Sequence, residues 1–163
     1  MKIVPYKRKR QGKTDYFARK NILKKNIPRL IIRKTNKYII AQIVKSKEAQ
    51  DFVLLGVNSK ELLKNGLDEK AKYSLKSVPA AYLTGLLLGK KAYGKIKEVI
   101  VDLGLNRSVP GSRLYAVVNG IRDSKIETNC DESMFPKKEI IEGKNLKNKI
   151  NFEEIKNKIL KNN

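Results

Sequence analysis

The chain has 163 residues, a single cysteine and no histidine, and its 37 Lys and Arg against 16 Asp and Glu give a net charge of +21. Cys130 on its own excludes an internal disulfide, and the lack of histidine excludes imidazole acid–base chemistry and imidazole metal ligands. A charge this large repels itself in a compact domain, so an anionic partner is expected, either nucleic acid or an anionic membrane.

The length predicts one domain with an appended tail, large enough to build a core without disulfides or metals. An apolar content of 40% and a charged content of 33% predict a packed core wrapped in charged extensions. The longest apolar stretch, Val78 to Gly89, falls short of the roughly 18–20 residues of a membrane span and reads as a core helix. Met1 to Lys25 is polar and basic without the apolar centre of a secretory signal, so the chain is expected to be cytoplasmic. The Asn106-Arg107-Ser108 sequon carries no weight there.

Residues 1–26 hold ten Lys or Arg and one acid, Asp15. Tyr6 to Gly12 has no apolar periodicity and reads as a basic arm that orders on RNA; from Asp15 on, Tyr16, Ile22 and Leu23 predict a short basic helix. Arg29–Thr35 and Tyr38–Ser46 are rich in β-branched residues and predict two strands joined by a tight hairpin at Asn36-Lys37. Asp51–Val57 predicts a third strand. Ser59 is expected to cap a short helix with Glu61 in its first turn and Gly66 as its stop, followed by a polar linker over residues 67–76.

Pro79–Tyr93 predicts the main core helix, with Gly85 and Gly89 letting it approach the sheet. Glu98–Leu103 is short and apolar, as a buried parallel strand is. A loop over residues 104–111 and a helix over Ser112–Ser124 follow, and Phe152–Leu160 predicts an independent amphipathic helix in a tail of mixed charge. This order predicts an α/β fold: a mixed sheet with an antiparallel hairpin and a parallel βαβ part, packed helices, a basic N-terminal extension and a helical C-terminal tail. The expected divisions are residues 1–26, 27–126 and 127–163.

Gly12-Lys13-Thr14 imitates the end of a phosphate-binding loop, but the full motif needs glycine where this chain has Lys7, and it should follow a strand. The stretch from Gly104 to Arg113 is a stronger candidate. It feeds a helix N-terminus that carries partial positive charge, with Arg107 and Arg113 beside it and Ser112 placed to cap it. An ordinary strand-to-helix turn has the same look. The hairpin gathers Arg33, Lys34, Asn36, Lys37, Tyr38 and Gln42, a mixture that suits RNA and equally a sheet edge guarded by lysines. A membrane-surface helix would need a sustained apolar face, which residues 1–14 lack. For an enzyme, Asp102 at the end of a core strand is the one position suited to a metal-binding carboxylate; no second acid matches it, and pairing with a nearby cation is expected instead.

Taken together, Tyr6 to Tyr16, Pro28 to Ile43, Pro79 to Leu87 with Gly89 to Ala92, and Asp102 to Leu105 with Gly111 to Arg113 resemble large-subunit ribosomal protein eighteen in its archaeal form. The resemblance runs over residues 4–125, in order and at family spacing. The chain departs from it at Asn106, where His is frequent, and near Phe17 and Ala18, where Lys or Arg are common; beyond Lys144 no pattern carries over.

The resemblance implies a non-enzymatic constituent of the central protuberance, binding 5S rRNA, touching 23S rRNA and neighbouring large-subunit ribosomal proteins, with no cofactor, metal, membrane or small-molecule substrate. Carried over by motif, Lys7, Arg8, Arg10, Lys13, Thr14, Tyr16, Arg19 and Lys20 of the arm and first helix, and Arg33, Thr35, Asn36, Lys37 and Gln42 of the hairpin, would grip 5S rRNA. Arg107, Ser112 and Arg113 would take further rRNA phosphate. The rivals are a metal-dependent RNA-processing nuclease on a similar sheet and a membrane-surface adaptor.

Overall fold

The computed structural model describes residues 4–48, 50–67, 75–146 and 151–161. Two helices precede the sheet, α1 (Lys7–Arg10) and α2 (Tyr16–Leu23). Strands β1 (Arg29–Lys34), β2 (Ile39–Lys47) and β3 (Gln50–Asn58) form an antiparallel meander. Helix α3 (Val78–Ala92) then crosses to β4 (Glu98–Asp102), which lies parallel to β1. Helix α4 (Arg113–Asp123) leads to a two-residue strand β5 (Glu127–Thr128), parallel to β4, and α5 (Lys138–Ile141) and α6 (Phe152–Lys161) complete the order. The sheet order is β3-β2-β1-β4-β5, so the mixed α/β architecture expected from the sequence is the one observed.

Strand alternation explains the core. Leu30 and Ile32 of β1, Ile39, Ala41 and Ile43 of β2 and Val57 of β3 point to one face and are buried there under α3 and α4. Burying each such Leu or Ile contributes about 1.5–3 kcal/mol. The opposite face carries Arg29, Ile31 and Arg33, and α2 lies against part of it. At the β3 edge, Leu54 is the extra residue opposite the step from Ile43 to Val44, and Phe52, Val53 and Leu54 are about half exposed.

The tight hairpin forms at Asn36-Lys37 as expected, closed by the Thr35 hydroxyl, which accepts from the Tyr38 amide at 2.9 Å, and by the Thr35 amide, which donates to the Tyr38 carbonyl at 2.8 Å. Other local expectations are corrected. Lys7–Arg10 makes one helical turn where no periodicity predicted any, and none of its residues is buried. The turn over Ser59–Leu63 is a 3-10 helix capped by Asn58, which shares a reciprocal capping box with Glu61. Ser59 is instead buried and accepts a hydrogen bond from the Ile39 amide. The predicted linker over residues 67–76 falls largely outside the described residues.

Helix α3 has Ser77 as its cap and Pro79 in its first turn. Its glycines approach α4, not the sheet. A Cβ on Gly85 would collide with the Val117 carbonyl oxygen, and one on Gly120 with the Tyr82 carbonyl oxygen, so the two backbones meet directly. Gly85→Ala is therefore expected to force α3 and α4 apart at a cost of about 1–3 kcal/mol or more. Chemical denaturation would show it as a lower midpoint; an unchanged midpoint would mean that the helices separate freely.

The C-terminal helix is not independent. Phe152, Ile155 and Ile159 are buried in the same core, Phe152 stacks on Tyr82 at 5.5 Å, and Lys90 of α3 donates to the Ile159 and Leu160 carbonyls at the end of α6. Amphipathicity alone could not say which surface would receive that apolar face.

Candidate nucleic-acid interface

Asp15 starts the site. Its carboxylate accepts from the Phe17 and Ala18 amides at 2.9 and 3.1 Å, which caps α2 and fixes where its basic side chains point. The arm folds back beside this helix. Arg8 Nε donates to Thr14 Oγ1 at 2.9 Å, and the Tyr6 ring lies 5.2 Å from that of Tyr16.

Beneath α2 runs a chain of charges. The Arg19 guanidinium bonds Asp51 at 2.8 Å, and Arg29 bonds the other Asp51 oxygen at 2.7 Å and Asp102 at 2.8 Å. Arg33 reaches Asp102 at 3.3 Å and the Asp102 carbonyl at 3.0 Å. Arg29 is 1% exposed, so this buried cation is held by two carboxylates and by Ser46 at 3.1 Å. Burial alone would raise the Asp51 carboxyl, but the Ser46 hydroxyl, Arg29 and Arg19 outweigh it and hold it below its ordinary 3.8. Asp102 also accepts from the Gly104 amide at 2.8 Å. Gly104 has a positive φ of 63°, and a Cβ there would lie 2.9 Å from the Arg33 guanidinium carbon, so glycine lets Arg33 cross the end of β4.

Arm, helix and sheet thus enclose a cleft of about 230 Å³ lined by Arg8, Lys13, Thr14, Asp15, Ala18, Arg19, Ile22, Arg33 and residues 102–105. A broader trough on the other flank of α2 takes in Arg8, Thr14, Tyr16, Arg19, Lys20 and Lys24. Of the residues carried over by resemblance, the structure therefore gathers Arg8, Lys13, Thr14, Tyr16, Arg19, Lys20 and Arg33. Lys7 and Arg10 stay exposed on α1 and line neither hollow. Arg19 and Arg33 are only partly available, since each also serves the charge chain.

The remaining residues lie elsewhere. Asn36 and Lys37 are exposed at the hairpin tip, while the Thr35 hydroxyl is occupied by the turn. Gln42 is half-buried on the outer sheet face beside Gly56. Arg107 and Arg113 are exposed and line neither hollow around α2; Arg113 instead borders a second cleft with Val78, Pro79, Ile140 and Leu146. Ser112 stands at the cap position of α4, but its side chain makes no cap bond, and its Oγ is buried without a partner among the described residues. The capping role expected of Ser112 is thus not observed. The loop over residues 104–111 is tied down by Ser108 to Tyr115 at 2.5 Å and by the Gly111 amide to the Met134 carbonyl at 2.9 Å.

Sequence reasoning passed over Arg29. The signal was present: Arg29 and Arg33 share a parity on a strand whose centre, Leu30 to Ile32, is apolar, and Asp102 ends the short apolar strand β4. It did anticipate that Asp102 pairs with a cation, and the structure supplies two.

Residues 3–98 match the family described as ribosomal large subunit proteins 60S L5 and 50S L18. The chain belongs to this family. It is 37% identical over 145 residues to large ribosomal subunit protein uL18 of Methanoregula boonei, covering 88% of this chain and 81% of that protein. The uL18 protein of Methanoculleus marisnigri is 39% identical over 145 residues, covering 86% and 79%. That of Caldivirga maquilingensis is 37% identical over 148 residues, covering 88% and 68%. Family membership makes the chain a structural constituent of the large ribosomal subunit, as the resemblance implied.

Proposed function

We propose that the chain holds 5S rRNA through the arm, α2 and the hairpin, takes further rRNA phosphate on the Arg107–Arg113 loop, and touches 23S rRNA, within the central protuberance. The observation that carries this reading is the convergence of Arg8, Lys13, Arg19, Lys20 and Arg33 on the two hollows flanking one short helix. Cations gathered along a groove attract backbone phosphates, and guanidiniums can bond them in a bidentate way. The nuclease alternative has less support, because both carboxylate oxygens of Asp102 accept from Arg29, Arg33 and the Gly104 amide.

The arm supplies the test. Because α1 and α2 bury no residue, removing residues 1–14 is expected to weaken 5S rRNA binding at least tenfold and leave the thermal midpoint almost unchanged. Filter binding and a thermal melt on the same preparation would show both. Unchanged affinity after the deletion would remove the arm from the interface.

A further inference from the structure

The arm cations are interleaved with aromatic rings that the core does not use. Of the five aromatic residues left substantially exposed among the described residues, Tyr6, Tyr16, Phe17, Phe52 and Tyr93, three fall within residues 6–17. Phe17 is 76% exposed, more than any other large hydrophobic side chain among the described residues. It stands on α2 one and two turns ahead of Lys20 and Lys24, both exposed, so a ring and two ammonium groups share one face of the helix. Phe17 has no polar atom, and no neighbouring ring is paired with it. Tyr6 and Tyr16 are stacked on each other at 5.2 Å and tilted by 48°, with Tyr6 73% exposed.

A single apolar side chain on a surface is ordinary. An aromatic without a polar handle, set between lysines in the most basic segment of the chain, is better matched by one kind of occupant. We infer that Phe17, with Lys20 and Lys24 on the same face of α2, is a stacking site for an unpaired RNA base, and that the Tyr6–Tyr16 pair, joining the arm to the start of α2, is a second ring surface. A nucleobase offers a flat π-face to the ring, and the adjoining phosphates on the C-terminal side of the helix meet the two ammonium groups. The interior of a continuous duplex cannot use the site, because its bases are stacked on each other and present edges, not faces, in the grooves. The site therefore selects a bulge, loop or strand end, a discrimination that the cations alone do not provide.

This inference rests on the RNA-binding reading above, and one experiment separates the two. The chain contains no tryptophan, so Phe17→Trp introduces a sole indole reporter. The native chain, Phe17→Leu and Phe17→Trp would be titrated with 5S rRNA and with a blunt, fully paired RNA of equal length, at several salt concentrations. Phe17→Leu keeps an apolar side chain but loses the ring. It is expected to bind 5S rRNA about 5- to 100-fold more weakly, the range for one lost base stack. Its salt dependence should be unchanged, because no phosphate contact is lost. Phe17→Trp is expected to bind like the native chain, with its emission quenched by 5S rRNA and not by the duplex. Salt-sensitive binding that is indifferent to Phe17→Leu, or equal quenching by the duplex, would overturn the stacking site and leave the RNA reading standing. Failure of the native chain to bind 5S rRNA would overturn both.

Discussion

Raising salt from 50 to 200 mM is expected to weaken binding to 5S rRNA by about a thousandfold or more. Each phosphate neutralised by a lysine or arginine releases condensed counterions, and the affinity lost scales with the number of phosphates met; about 6–10 of them give a loss on the order of 10³–10⁵. The chain has the cations for this. Its net charge is +21, and Arg8, Lys13, Lys20 and Lys24 line the hollows around α2 without an acidic partner among the described residues. Arg19 and Arg33 contribute less, because binding phosphate competes with their carboxylates. Filter binding across the salt series measures the slope directly. A nearly flat slope would mean that the cations do not meet phosphate. Loss of Phe17 should lower affinity at every salt without changing that slope, whereas loss of Arg8 or Lys20 should reduce it.

Arg29→Ala is expected to destabilise the fold by about 3–5 kcal/mol, the range for removing one partner of a buried ion pair. At this chain length that corresponds to a fall of roughly 6–20 °C in the thermal midpoint. Arg29 is the junction of the charge chain, tying β1 to β4 through Asp102 and to β3 through Asp51. Without it Asp102, 8% exposed, keeps only Arg33 and the Gly104 amide. Replacing both members, as in Arg29→Met with Asp102→Leu, should cost less than Arg29→Ala alone, because no buried charge is then stranded. A calorimetric scan of the three proteins decides it, and an Arg29→Ala midpoint within a degree of the native one would show that the network does not hold the strands.

The same network sets an acid limit. The Asp51 carboxyl is held below its ordinary 3.8 in the folded chain, so its stabilising contribution is complete above that value and is lost as pH falls through the folded value. Glu61 behaves alike: burial would raise it, but Lys91 and the Asn58 amide hold it below its ordinary 4.5. Acid unfolding should therefore begin below about pH 4, and Arg29→Ala should shift it upward, since Asp51 then loses one of the cations that lower it.

How much of this was legible in the chain differs by element. Strands β1, β2, β3 and β4, helices α3, α4 and α6, and the basic helix after Asp15 could all be read from residue type, apolar periodicity and caps, because burial of one face imposes a period of 2 or 3.6 on the residues themselves. The net charge called for an anionic partner, and the spacing of the motifs pointed to the family. Tertiary structure decided the rest. β5 is two residues long and exists because β4 offers it an edge. The close approach recorded in Gly85 is to α4, since a glycine announces that something comes near without naming what. Helix α6 docks on α3 because Tyr82 and Lys90 meet its apolar face and its last carbonyls, partners some 70 positions away in sequence. Arg29, Asp51 and Asp102 are scattered along the chain and become one network only when β3, β2, β1 and β4 lie side by side. Local sequence records what each residue demands of its surroundings; which distant residue meets the demand is settled only when the sheet is assembled.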